Sequence, residues 1–266
     1  RAVLRGLSSD PAARWPSMSA LIEALDRDPG RRRRLLTTAA VALVGVASVG
    51  FGAWSLTERR AAVCAAMERH LEGVWDDERR ASVRAALATG GDYGEENAAR
   101  VTAGLDAYAD AWVAARGEAC VATRVRGEQS VELMDARVAC LDGRLGSLRA
   151  LVDVLEGGAA VDRAIAAVGK LPAIDRCGDA DFARAKTPVP EDKSRAEAVE
   201  RLRERLSRVQ ALVLAGTYDA ALDEARALLE RAEALGFEPF TTEVRLEHAR
   251  ALSLTGAHDE ALAAFE

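Results

Sequence analysis

The chain has 266 residues, room for two modest domains, and a formal net charge of −6, which gives no reason to expect a nucleic-acid partner. Aromatic residues are only 5% of the total, alanine, leucine, arginine and glutamate dominate, and long β-branched alternating runs are missing, so the expected fold class is all-α. Three histidines and no C-x-x-C spacing leave a zinc site without support, and neither a nucleophile elbow nor a phosphate-binding loop marks a hydrolase.

Residues 1–28 hold two helical patches joined by a polar, proline-bearing turn. Leu4 and Leu7, then Met18, Leu21, Ile22 and Leu25, are apolar at helical intervals, Ser17 can cap the second helix, and Pro29 ends it. A helix pair of this size cannot bury its own core and is expected to be the tail of something larger. In the order Asp10, Pro11, Arg14, Pro16, Met18, Leu21, Leu25, the stretch resembles the closing helices of the C-terminal lobe of eukaryotic-like serine/threonine protein kinases of bacteria. The resemblance implies a structural role for Arg14, an ion pair with the glutamate of an A-P-E motif that this sequence does not contain. The glycine-rich loop, the phosphate-pairing lysine, the H-R-D loop and the D-F-G aspartate are also outside it, so no catalytic residue is assigned. ATP and magnesium are implied for the kinase domain and no cofactor for these residues. A generic helix-turn-helix is the other reading.

Residues 29–34 form a basic juxtamembrane segment, and from Leu35 to Thr57 no side chain is charged. A helix of that length reaches roughly 34 Å, which predicts one transmembrane helix over 35–57. Arg27 and Arg31 to Arg34 before it outweigh Arg59, Arg60 and Arg69 after it, which are interleaved with acidic residues. By the positive-inside rule the N-terminal side is expected to be cytoplasmic and the C-terminal side extracytoplasmic, in a single-pass inner-membrane protein. Trp54 fits an interfacial anchor. Ser48 and Gly52 make a small-xxx-small pair that would permit a homodimer, or are ordinary small residues in a span.

Residues 58–177 read as an extracytoplasmic helical bundle with helices near 58–73, 75–88, 95–125, 130–156 and 159–170. Gly90-Gly91, Gly127 and Gly157-Gly158 supply the breaks. Trp75, Tyr108 and Trp112 read as packing anchors, and Arg124, Arg126, Glu128 and Gln129 as a polar knot at a turn. All four cysteines, Cys64, Cys120, Cys140 and Cys177, follow the expected span, as disulfides on an oxidising side would. Cys140 and Cys177 lie equally far from the Gly157-Gly158 turn and would meet across an antiparallel hairpin. Cys64 with Cys120 follows only by elimination, and four buried thiols are the alternative. Residues 178–193, with Pro188 and Pro190, read as a linker.

Residues 194–266 carry a duplication. LAGTYDAAL (Leu214 to Leu222) is echoed by LTGAHDEAL (Leu254 to Leu262) at an offset of 40 residues, each copy between two helices: 194–215 and 218–235, then 240–255 and 258 onward. Gly216 and Gly256 permit the tight turns, while Ala221, Ala225 and Ala261 allow close helix approach. The pattern is similar to tetratricopeptide repeats, with Gly216, Tyr218 and Ala221 matching Gly-x-Tyr-x-x-Ala, Gly256 and Ala261 in the second copy, and His258 where the aromatic is expected. The long period resembles repeats of the kinesin-light-chain type. An incomplete α-solenoid is expected, with further repeats downstream. Together these readings predict the protein- or peptide-binding, signal-sensing part of a membrane-bound serine/threonine kinase. The alternative is a membrane-anchored tetratricopeptide scaffold without kinase activity.

Overall fold

Short polar residues cap several of the helices. The computed structural model describes residues 2–26, 29–89, 93–158, 161–185 and 188–265, among which there are twelve α-helices and no strand. The Gly90-Gly91 break lies outside the described residues. Asp76 accepts from Arg79 N to open one helix, Ser130 from Leu133 N to open another, and Asp192 from Arg195 N to open a third; each satisfies an amide that the helix itself cannot. The chain forms two compact units, Arg1–Arg60 and Ala61–Glu266.

The first unit contains α1 (Ala2–Gly6), α2 (Met18–Asp26) and most of α3 (Pro29–Val63). A 3-10 turn at Pro11–Ala13 joins the first two, with Asp10 accepting from Ala12 N at 2.9 Å. Trp15 Nε1 donates to the carbonyl of Ala2 at 2.9 Å, the Arg5 guanidinium lies 4.3 Å from the Trp15 ring centroid, and Arg14 Nε donates to the carbonyl of Ser8 at 2.7 Å. These polar ties set the angle of the pair. Its apolar side chains stay open: Leu4, Leu7, Met18 and Ile22 are all exposed, and neither helix has a buried residue.

Among the described residues no helix is long and apolar enough to cross a membrane, which overturns the single transmembrane helix expected at 35–57. The side chains of Leu35, Ala53 and residues 56–61 lie outside the described residues. The inner-membrane localisation, the cytoplasmic and extracytoplasmic sides, and the membrane as a partner all rested on that span and are withdrawn with it. The helix expected at 58–73 is also corrected: α3 stops at Val63, Ala66 adopts a left-handed conformation (φ 60°), and a 3-10 turn runs Met67–Leu71.

The second unit begins with α4 (Asp77–Ala88), α5 (Gly94–Arg124), α6 (Val131–Glu156) and α7 (Val161–Gly169). Then come the short α8 (Ala180–Arg184), α9 (Lys193–Ala215), α10 (Tyr218–Leu235), α11 (Glu238–Leu254) and α12 (His258–Phe265). Val83 and Leu87 of α4 meet Val101 and Leu105 of α5, and Leu148, Leu151 and Leu155 of α6, in one core. That core continues through Ala164 and Ala167 of α7 into Leu212 and Val213 of α9. The bundle and the first repeat therefore share their buried surface, and α8 sits inside the stretch read as a linker. The aromatic anchors bury their rings and keep partners for their polar tips. Trp112 Nε1 donates to Leu141 O at 2.7 Å, Tyr108 Oη to Pro172 O at 2.9 Å, and Trp75 Nε1 to Asp106 Oδ1 at 2.8 Å.

Candidate protein-binding surface

The turn between α9 and α10 is built backward from Gly216, whose φ of +76° is open to glycine at no steric cost. Gly216 N donates to Val213 O and Thr217 N to Leu212 O, closing α9. Ala221 N then accepts its place in α10 by donating to Thr217 O. Forty residues later the same three bonds recur, Gly256 N to Ser253 O, Ala257 N to Leu252 O and Ala261 N to Ala257 O, with Gly256 at φ +90°. The duplication is therefore present in the backbone as well as in the letters. Ala221 and Ala261 are both buried where a larger side chain would push helices apart, and His258 is exposed.

One contributor to the first turn is absent from any repeat pattern. Arg163 of α7 donates through Nη1 to Gly216 O and sets its guanidinium 5.6 Å from the Tyr218 ring centroid. A Cβ added at Gly216 would collide with that guanidinium. Arg163 stands 53 residues from Gly216, so no local signal could have announced it. A shallow hollow of about 600 Å³ lies beside this contact, bordered by Arg163, Thr217, Tyr218 and Thr255.

Helices α9 and α11 face each other through polar side chains. Gln210 Nε2 donates to Glu247 Oε1 at 3.1 Å, and Arg203 Nη2 stands 3.9 Å from Glu243 Oε1. Burial holds the Glu243 carboxyl above the usual carboxylate range, with Arg203 opposing. His248, on the same helix, is held below the usual histidine range by burial first, then by Arg226, with Glu260 opposing. Beneath this polar layer Leu206, Val209, Leu228, Phe240 and Val244 make a second apolar core.

The cysteines precede the repeats in the chain. The structure joins Cys64 to Cys120, with Cα atoms 5.6 Å apart, and Cys140 to Cys177, at 5.7 Å. Cys64 follows the end of α3 and is tied to α5. Cys177 sits on a 3-10 turn at Asp175–Gly178 rather than on a helix returning from Gly157-Gly158, since α7 ends at Gly169. The polar knot braces the same region. Arg126 pairs with Glu118 and, at 2.7 Å, with Glu128; Gln129 Nε2 donates to Ala119 O at 2.7 Å; and Arg137 Nη2 donates to Gly178 O at 2.6 Å.

Arg14 of the first unit holds its own turn through Ser8. Among the described residues no group of His, Cys, Asp or Glu could hold a metal ion. No family model, curated protein or solved structure matches this chain.

Proposed function

We propose that this chain is the protein-binding, signal-sensing region attached C-terminally to a serine/threonine protein kinase domain, with its repeats as the binding element. The observation that carries the binding role is the recurrence of one backbone turn 40 residues apart, between successive helices that pack on one another. Stacked helix pairs present broad surfaces assembled from successive units, and such surfaces suit extended peptides or other proteins better than they suit chemistry.

The kinase attachment is supported by the first helix pair. Asp10 caps the turn, Pro11 opens it, and Arg14 is drawn back onto Ser8, while Leu4, Leu7, Met18 and Ile22 stay open for a larger body to cover. ATP and magnesium belong to that kinase domain, not to these residues. The sequence encoded ahead of Arg1 is the test: H-R-D and D-F-G motifs in kinase spacing support the reading, and an unrelated domain there removes it. The other reading, a repeat scaffold without kinase activity, draws on the self-contained core of Ala61–Glu266 and would be selected by that second result.

A further inference from the structure

Away from the turn at Gly216, residues of α9 and α10 border an open hollow of about 440 Å³ with an unusual wall. Its floor is apolar, from Leu202 and Leu235 with two alanines, and its charged members are Arg201, Arg205 and Arg231. No carboxylate lines it, in a chain whose net charge is −6. Arg205 is held by Glu224, which accepts from Nε at 2.8 Å and from Nη2 at 2.7 Å, and its Nη1 is buried without an acceptor. Arg201 and Arg231 make no ion pair among the described residues. Arginine often satisfies its planar fork with carboxylates, so Arg201 and Arg231, beside an apolar floor and without a carboxylate, leave the wall open to an acidic partner.

We infer that this hollow binds an acidic peptide segment, one that sets a leucine- or phenylalanine-type side chain on Leu202 and Leu235 and its flanking carboxylates on Arg201 and Arg231. The inference rests on the protein-binding reading of the repeats and gives that reading a ligand chemistry. A bare phosphate would satisfy the arginines and leave the floor uncovered. An uncharged apolar segment would do the reverse. Only a ligand that alternates the two uses every group in the wall, and charge complementarity at such a rim also speeds association at low salt.

The probe is a fluorescein-labelled peptide, acetyl-Glu-Leu-Asp-Glu-Phe-Asp-Leu-Glu-amide, titrated with the full chain and followed by fluorescence anisotropy. Its isostere carries glutamine and asparagine in place of the acids. The acidic peptide should bind at least about tenfold more tightly than the isostere, and more weakly as salt rises. The exposed double substitution Arg201→Gln with Arg231→Gln, checked for an unchanged circular dichroism spectrum, should weaken the acidic peptide about tenfold and leave the isostere unchanged. Equal binding of the two peptides, or an unaffected double variant, overturns the inference. So does displacement of the peptide by inorganic phosphate or single-stranded RNA as effectively as by unlabelled peptide, since that would mark a general anion surface. A protein partner that cross-links to α11 and ignores the double substitution would sink this site while leaving the binding role of the repeats intact.

Discussion

Leu206 and Leu246 occupy the same place in successive copies of the repeat, 40 residues apart, yet Leu206 is 6% exposed and Leu246 is 56% exposed. Leu206 lies in the core made with Leu228, Phe240 and Val244, whereas Leu246 faces outward. Leu206→Ala should therefore cost about 2 to 5 kcal/mol, through lost burial and the cavity left behind. Leu246→Ala should change stability by no more than about 0.5 kcal/mol. Urea unfolding of the two variants side by side measures this. Equal losses would mean that the second copy is packed as the first is.

The two disulfides close loops of 56 and 37 residues. Chain-entropy reasoning assigns about 4 kcal/mol to each. Replacing Cys140 and Cys177 together by serine should lower the unfolding free energy by that order, with a smaller effect of added reductant on the variant than on the parent. Denaturant curves with and without reductant read both quantities. If reductant leaves the parent's midpoint unmoved, the cross-links do not carry this share of stability.

Burial pushes the Tyr108 hydroxyl up to about 12, with Arg144 opposing, and the hydroxyl donates to Pro172 O. The folded state keeps the phenol proton at a pH, near 10, where the unfolded chain releases it. Stability from Tyr108 is thus complete below pH 10 and is lost as pH rises from about 10 toward 12. Tyr108→Phe should cost about 1 kcal/mol at neutral pH and flatten the alkaline limb of the stability curve. Absorbance at the tyrosinate band, followed with pH, should show one late-titrating tyrosine that the variant lacks.

Gly216 and Gly256 both adopt positive φ, but only Gly216 is crowded by Arg163. Gly216→Ala should be the more damaging change, because the left-handed strain of about 1 kcal/mol is joined by loss of the Arg163 bond to the turn. Gly256→Ala meets only the strain. Thermal melts of both variants, and of Gly216→Ala combined with Arg163→Ala, separate the two contributions: in the Arg163→Ala background the two glycine substitutions should cost the same.

Apart from α8, which lies in the stretch read as a linker, the helices from Asp77 onward are legible because their limits are written in local chemistry. Glycines at 127, 157–158, 216 and 256 act on the backbone within a few residues of themselves, so a reading by spacing finds them, whereas the caps at Ser130 and Asp192 appear only in the structure. The two cysteine pairs follow from a hairpin and from elimination, although Cys177 reached its partner from a 3-10 turn that spacing did not show. The long apolar run after Arg34 reads as a span from its letters, and no described helix is apolar enough over enough length to be one. Arg163 at the Gly216 turn and the three arginines around Leu202 were not legible at all. Their meaning depends on which helices pack together, and that is decided by Leu212, Val213, Leu228 and Phe240 far away in sequence.

The binding role of the repeats is tested most directly by placing a photo-cross-linking amino acid at the exposed Ala234 of α10 or Leu246 of α11, and at the exposed Val131 of α6 as the comparison, in cells that make the protein. A discrete adduct with another polypeptide from at least one of the two repeat positions, absent from position 131, is the predicted result. No adduct from either repeat position, or the same adducts from all three positions, would contradict the account.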